Sequence, residues 1–371
     1  MNYHKKLGQE LLNHADVAID GSRPWDIQVH NEEAYRRVLN DGSLGLGESY
    51  MDGCWDCKRL DEFFCRIMKA DLESKVKINA KLLLELLMAK IFNLGSKQRA
   101  FQIGEKHYDA GNDLFAKMLD KRMVYSCGYW KNAKNLDEAQ EAKLDLACKK
   151  AGLKPGMKVL DIGCGWGSLA KYAAEKYGVD VVGITVSKEQ VELGKKLCKG
   201  LPVEIRLQDY RDIDERFDAI ISIGMFEHVG YKNHRHFMKV VHRCLNDDGI
   251  FLLHTIANNM SLTTADHWTT KYIFPNGLNP SLKQIGASAE KLFVIEDLHN
   301  FGPDYDKTLM AWYKNFQDSW PLLKDKYGAR FKRMWDYYLL MAAAAFRARD
   351  LQVWQIVMTK KGREQPDCRI S

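Results

Sequence analysis

From about residue 153 onward, short apolar runs alternate with helical patterns, and this alternation limits the fold more than any other feature of the chain. It is the sign of a parallel sheet with crossover helices. Lys158-Val-Leu-Asp-Ile-Gly reads as the first strand, Val179-Asp-Val-Val-Gly-Ile-Thr as the second and Val203-Glu-Ile-Arg-Leu as the third. Phe217-Asp-Ala-Ile-Ile-Ser-Ile and Gly249-Ile-Phe-Leu-Leu-His follow as the fourth and fifth. Phe293-Val-Ile-Glu-Asp-Leu and Gln352-Val-Trp-Gln-Ile-Val-Met can close the sheet, with a helical insertion over roughly 305–347 between them.

The first hundred residues read differently, as short helices and turns. Asp41-Gly-Ser-Leu-Gly-Leu-Gly-Glu is expected to be a turn-rich connector. With 371 residues, more than one core usually needs, two units are expected: a smaller, mainly helical domain over 1–100 and an α/β domain over 101–371. Residues 75–99 pattern as an amphipathic helix. Lys75, Lys77, Lys81, Lys90, Lys97 and Arg99 stand against the single acid Glu85, so 6 − 1 = +5. Such a helix is either a solvated face packed on its neighbour or a surface that lies on anionic lipid.

The whole chain carries only +6, from 55 basic and 49 acidic residues, which gives no argument for nucleic acid as a partner. Nine cysteines, odd in number and scattered, make no disulfide framework. Cys54 and Cys57 form a C-x-x-C pair without the second pair or His of a zinc set, so no metal site is expected. The N-terminus lacks the apolar core of a signal peptide. The apolar stretch from Leu82 to Ile91 is broken by Glu85 and Lys90 and is too short to span a bilayer. The expectation is a cytoplasmic protein, at most peripheral to the inner membrane surface.

Asp161-Ile-Gly163-Cys-Gly165-Trp-Gly167 follows the first strand and opens a helix. Glycines there let the backbone turn sharply and approach a ligand at the carboxyl edge of the sheet. The spacing is G-x-G-x-G, not the G-x-G-x-x-G that fits a pyrophosphate. Asp161 would repel a diphosphate but suits a cationic ligand. This loop and the strands after it resemble the class I, Rossmann-like methyltransferases. That resemblance implies a doubly wound, mostly parallel sheet with an antiparallel last strand, and S-adenosyl-L-methionine as methyl donor. One departure is visible. Where such enzymes carry an acid to hold the ribose hydroxyls, this chain has Thr185, Ser187 and Gln190, which can make the same hydrogen bonds without charge. Thr185 and Ser187 also read as an N-cap for the next helix. Asp209 is placed to accept from an adenine amino group and Tyr210 to stack on the ring, although the same run also reads as a surface turn.

Further words point to what receives the methyl group: His107-Tyr-Asp-Ala-Gly-Asn-Asp-Leu-Phe, Tyr125-Ser-Cys-Gly-Tyr-Trp, Gly224-Met-Phe-Glu-His-Val-Gly, Leu252-Leu-His-Thr-Ile and Phe301-Gly-Pro-Asp-Tyr-Asp. With Gly45-Leu-Gly-Glu-Ser-Tyr-Met-Asp-Gly, Lys271-Tyr-Ile-Phe-Pro-Asn-Gly and Phe346-Arg-Ala-Arg-Asp, they closely resemble the cyclopropane-fatty-acyl-phospholipid synthases, relatives of the mycolic acid cyclopropane synthases. The resemblance runs nearly end to end. It implies methylene transfer to the cis double bond of an unsaturated acyl chain in a membrane phospholipid, and a homodimer by analogy. It also places Cys127, Glu227, His254, Ile256 and Tyr305 around a bicarbonate ion that removes a proton, and Tyr125 and Ser126 on the carboxylate of the cofactor.

The chemistry asks for such a site independently. An alkene is a weak nucleophile, so its methylation places positive charge on carbon; water must be kept out and aromatic faces can stabilise the charge. Tyr129, Trp130, Phe226, Tyr272, Phe274, Trp312 and Tyr313 lie near these words, though each alone reads equally as core. Ring closure then needs a base. Read singly, His254 can be a satisfied core histidine, Glu227 a helix-terminal charge and Cys127 a small hydrophobe. A thiol nucleophile in the C-terminal helix is excluded, because Ala342 stands in Met341-Ala-Ala-Ala-Ala-Phe where relatives can show Cys. Competing readings are a methyltransferase that leaves a simple methyl group on a lipid or small molecule, and a membrane-associated scaffold that has lost catalysis.

Overall fold

The computed structural model describes residues 3–71 and 111–370. These fall into two compact units, neither of them continuous in sequence. Residues up to 71, Thr264–Pro275 and Tyr305–Leu351 make the first; residues 111–263, Asn276–Asp304 and 352–370 make the second. A single division near residue 100 leaves 264–275 and 305–351 with the sheet, whereas here they pack with the N-terminal helices. The division point itself and the basic 75–99 segment lie outside the described residues. Among the described residues no helix is long and apolar enough to cross a membrane.

The second unit is built on seven strands: β1 (Lys158–Ile162), β2 (Asp180–Thr185), β3 (Val203–Leu207), β4 (Phe217–Ile223), β5 (Leu245–Asn258), β6 (Val294–Asn300) and β7 (Leu351–Thr359). Their order in the sheet is β3-β2-β1-β4-β5-β7-β6. The pairs from β3 through β5 are parallel, and β6 runs antiparallel to β7. All seven expected strands are present, in the doubly wound class that the glycine loop implied. The chain steps outward from β1 to β3 and then returns to β4, so a crevice opens beyond the carboxyl ends of β1 and β4.

Side chains alternate across the sheet, and two buried layers result. On one face Leu160, Ile220, Phe251 and Leu253 meet Phe237, Met238 and Val241 of the helix His234–Cys244 and Ile285 of the helix Leu282–Ala289. On the other, Val159, Ile221 and Leu252 meet Leu144, Ala147 and Cys148 of the helix Leu136–Lys150. That helix starts where Asn135 accepts a hydrogen bond from the amide of Glu138, a cap of about 1 kcal/mol. The register pairs Asp161 with Ile221, Ile221 with Leu252, and Ile223 with His254. Asp161 and His254 therefore emerge on the same face, under the same helix, with His254 one step closer to the carboxyl edge.

In the first unit the helix Glu33–Met51 is interrupted once, at Gly42, whose φ of +55° only glycine tolerates readily. The expected connector over Asp41–Glu48 is thus helical beyond Gly42. Gly45 and Gly47 serve close packing: a Cβ on Gly45 would lie 2.0 Å from the Arg37 carbonyl oxygen, and one on Gly47 would lie 2.2 Å from Trp268 Cδ1. Glu48 accepts from Lys271 Nζ at 2.5 Å and Tyr272 Oη at 2.7 Å. The helical insertion is found as Pro303–Arg347, broken at Gly328. Its Tyr337 packs against Tyr50, Phe64 and Trp268, and Arg347 binds Asp306 with both guanidinium arms at 2.9 Å. The sequence words thus meet in pairs, residues 45–53 with 271–277 through Glu48 and residues 301–306 with 346–350 through Arg347.

Candidate active site

After β1 the backbone takes three left-handed glycine conformations, Gly163 (φ +83°), Gly165 (φ +57°) and Gly167 (φ +81°), the last opening the helix Ser168–Tyr177. A Cβ on Gly163 would sit 2.6 Å from Met225 Cβ, so only glycine lets the loop lie against the 224–230 segment. The loop borders a pocket with about 540 Å³ of empty space, lined by Tyr125, Ser126, Lys143, Asp161, Gly163, Gly165, Gln190 and Gly224 among others.

Asp161 is buried there, with Oδ2 lacking a hydrogen-bond partner. Burial pushes its carboxyl up to about 7, against the pull of the Lys143 charge. Thr185 Oγ1 donates to Gln190 Oε1 at 2.6 Å, and Ser187 Oγ accepts from the Gln190 amide at 3.3 Å as N-cap of the helix Lys188–Leu197. The capping expectation holds for Ser187, whereas Thr185 Oγ1 accepts from the Ser187 amide at 3.3 Å, and of the three only Gln190 lines the pocket. Asp209 is held by Arg211, with Nε and Nη2 both at 2.7 Å. Tyr210 is buried in the second unit's core, edge-on to Phe237.

A second polar group lies beyond the end of β4 and beside it on β5. Glu227 is buried in the turn after β4; its Oε1 accepts from the Ile256 amide at 2.6 Å and its Oε2 has no partner. Burial raises this carboxyl to about 7. His254 is buried within β5, paired with Ile223 at the end of β4 and edge-on to Phe301, and desolvation holds its pKa well below the ordinary imidazole range. Gln355 Nε2 lies 3.4 Å from His254 Nδ1. With the amide donating to Nδ1, the ring proton resides on Nε2. Cys127 is fully buried, its thiol donating to the Gly128 carbonyl at 3.2 Å. Tyr305 is buried in the first unit, near the start of its long helix, with its ring against Trp312 and Phe346. Of the aromatic candidates, Phe226 stacks on His234 in the core and Tyr129 lies edge-on to His299 and Phe301.

Comparison with known proteins now decides the family. The sequence profile of the mycolic acid cyclopropane synthetase family matches residues 95–356. The chain belongs to that family. It is 55% identical over 355 residues to the cyclopropane-fatty-acyl-phospholipid synthase of Escherichia coli strain K12, covering 96% of this chain and 93% of that protein. Among solved structures, a cyclopropane synthase from Mycobacterium tuberculosis superposes with a TM-score of 0.67 at 31% identity, covering 72% of this chain and all of that one. A mycolic acid cyclopropane synthase complexed with SAH and CTAB gives 0.65 at 34% identity, covering 70% of this chain and 98% of that one. This family member is thus a class I S-adenosylmethionine-dependent methyltransferase in fold and an enzyme by kinship.

Membership of the family explains words that no single residue could. In Gly224–Gly230 the Gly224 amide donates to the His254 carbonyl at 2.9 Å, and the Glu227 carbonyl accepts from Leu278 at 2.8 Å. The word thereby ties β4 to β5 and to the segment after Pro275. Two residues escaped the sequence reading. Gln355 sits on β7 as one more apolar-strand position. Lys143 is almost wholly buried, 1% exposed, and its Nζ donates to Ser126 Oγ at 2.8 Å. A signal for it existed: Leu136, Gln140, Lys143, Ala147 and Lys150 recur at helical spacing on one buried stripe.

Proposed function

We propose that this enzyme adds one carbon, as a methylene bridge, across the cis double bond of an unsaturated acyl chain in a membrane phospholipid. One observation carries the reading: Asp161, with an unpartnered oxygen, lines a glycine-edged pocket, a buried neutral His254 stands on the same sheet face, and Glu227 carries its own unpartnered oxygen in the turn after β4. The 55% identical relative bears the name of this phospholipid chemistry. S-adenosylmethionine, when bound, supplies the electrophilic methyl group.

The chain's own residues fit that donor. Asp161 offers its free oxygen to the ammonium group, Tyr125 and Ser126 stand at the carboxylate, and the left-handed glycines bring backbone amides to the ligand. Gln190, with Thr185 and Ser187 behind it, faces the ribose hydroxyls. Asp209 and Tyr210 are assigned to the adenine end, where Arg211 shares the Asp209 carboxylate.

Methylation of the alkene leaves positive charge on the neighbouring alkyl carbon, and closure of the ring requires one proton to leave the added methyl. Glu227 and His254 suit a small anion that takes it. Protonated Glu227 donates from Oε2, and His254 donates from Nε2 while Gln355 fixes its tautomer. Bicarbonate, held there, supplies the base. The Ile256 amide, here engaged by Glu227, is available to the same anion once Glu227 turns, with Cys127 as pocket wall. Tyr305 is assigned to the set on resemblance alone. With His254 neutral and Glu227 in its protonated form, the anion is the only formal negative charge that these side chains hold. Docking on an anionic leaflet is assigned to the 1–100 segment, chiefly its basic stretch 75–99, with a homodimer doubling the contact.

The test is incubation with unsaturated phospholipid vesicles and methyl-labelled S-adenosylmethionine, followed by mass analysis of the acyl chains. The expected product gains one CH₂ and loses its alkene. A branched methyl product or a methylated headgroup would overturn the reading. Added bicarbonate should stimulate wild-type turnover and leave a Glu227→Ala variant unmoved.

A further inference from the structure

Burying an amine costs free energy unless an anion or several acceptors meet it. Lys143 is the exception that needs an explanation, since a methionine would fill the same space on the helix Leu136–Lys150 without that cost. Its one hydrogen-bond partner among the described residues is the Ser126 hydroxyl. The nearest acids do not neutralise it by contact. Asp120 accepts from the amides of Val124 at 2.8 Å and Arg122 at 2.9 Å, and Asp161 leaves Oδ2 unpartnered. Lys143 and Asp161, a base and an acid, both line the same pocket and are unbonded to each other. Such a pair is complementary to an amino-acid zwitterion, whose ammonium and carboxylate sit on one carbon.

We infer that Lys143, with Ser126, holds the α-carboxylate of the methyl donor while Asp161 holds its α-ammonium, so that the pocket selects a donor carrying an intact amino-acid end. The inference rests on the donor reading given above. It assigns Lys143 a binding role that neither composition nor strand pattern announces, and it gives the buried amine the anion it lacks. Burial draws its ammonium down to about 8, with Asp120 and Asp161 opposing that fall, so a bound carboxylate restores the charge.

The experiment is calorimetric titration of the full chain with S-adenosylmethionine and with its decarboxylated analogue, which keeps the sulfonium and the amine. Wild type should prefer the carboxylated ligand by about 10- to 100-fold, the range for hydrogen bonds to a charged group. In Lys143→Met, affinity for S-adenosylmethionine should fall by that factor while affinity for the analogue stays within about twofold; Lys143→Arg should regain part of the preference. Equal affinity of wild type for the two ligands overturns the inference, as does an equal loss for both in Lys143→Met, the result of a merely structural lysine. Wild type that binds neither ligand sinks the donor reading itself, a distinct outcome. Melting of the apo variants is measured first. If Lys143→Met does not fold, Lys143→Gln, which keeps a donor to Ser126, carries the same comparison.

Discussion

The two polar groups on this sheet face are solved in opposite ways. At the glycine loop, an acid and an amine of opposite sign face a shared cavity and leave bonding capacity unused. Beside the last residue of β4, burial keeps His254 neutral and raises the Glu227 carboxyl to about 7, and a glutamine and a backbone amide hold their geometry. The first arrangement suits a ligand that brings both charges with it. The second suits a small anion beside a developing cation, where a fixed carboxylate would compete for either. Both buried carboxyls, Asp161 and Glu227, are raised to about 7, so the sites differ in the second group each one holds, an amine at the glycine loop and a neutral imidazole on β5.

The comparison is broken most severely at the neutral site. His254→Ala and Glu227→Ala should each lower turnover by about 10²- to 10³-fold, the range for loss of one donor that holds a reacting anion, with the Kd for S-adenosylmethionine nearly unchanged. Steady-state kinetics beside calorimetry separate the two quantities. If either substitution weakened donor binding as much as turnover, the division between the sites would be wrong.

At the charged site, Asp161→Asn should do the reverse. Loss of a charged acceptor for the ammonium costs about 1.5–3 kcal/mol, roughly 10- to 100-fold in Kd. Turnover at saturating donor should fall far less. A loss confined to turnover would place Asp161 with the chemistry.

These contrasts show what the chain discloses in its order of residues. Strands β1 to β7 are legible because apolar runs bounded by turns leave no other way to be buried, and Asp161 through Gly167 because three left-handed positions demand glycine. The glycines at 45 and 47 mislead: they read as turns, yet Arg37 and Trp268 need the space a side chain would fill, and only tertiary packing reveals that. Lys143 is obscured by the opposite prejudice, since a lysine on a helix normally marks solvent. Tyr210 reads as a stacking platform, and the further contact of its ring with Phe237, 27 residues along the chain, is set by tertiary packing. The interleaving of residues 264–275 and 305–351 with the N-terminal helices is invisible to any reading that cuts the chain once.

A pH series sharpens the same contrast by smaller factors, about tenfold per unit on each limb. Asp161 must ionise to meet an ammonium group, so donor affinity should climb as pH rises through about 7. Lys143 must stay protonated to meet a carboxylate, so affinity should decline as pH passes about 8. The groups acting on Lys143 are Asp120, Cys127, Asp161 and Cys148, and Lys143 is the one acting on Asp161. Because these two titrate as a pair, the limbs belong to the pair. Asp161→Asn should abolish the acid limb and Lys143→Met the alkaline one. Turnover should move the other way through about 7, since ionised Glu227 cannot donate from Oε2. Affinity and turnover that rose together over that interval would show that Glu227 acts as an anion.

The smallest effect is expected at Gln355, which touches neither ligand in this scheme and acts through His254. Gln355→Leu removes the donor 3.4 Å from Nδ1 and leaves the ring free to carry its proton on either nitrogen. The tautomer with the proton on Nε2 then loses its bias, so turnover should fall by about three- to tenfold without a change in donor affinity. A structural role alone would shift melting but not the tautomer. Nitrogen chemical shifts of the labelled imidazole decide between them: the wild-type ring should show a protonated Nε2 and the variant a mixture. Gln355→Glu offers the converse, since a carboxylate accepting from Nδ1 would draw the proton away from Nε2 and deprive the anion of its donor. If both variants kept the wild-type tautomer and the wild-type rate, the proton on Nε2 would owe nothing to Gln355, and the neutral site would be organised by Glu227 and the Ile256 amide alone.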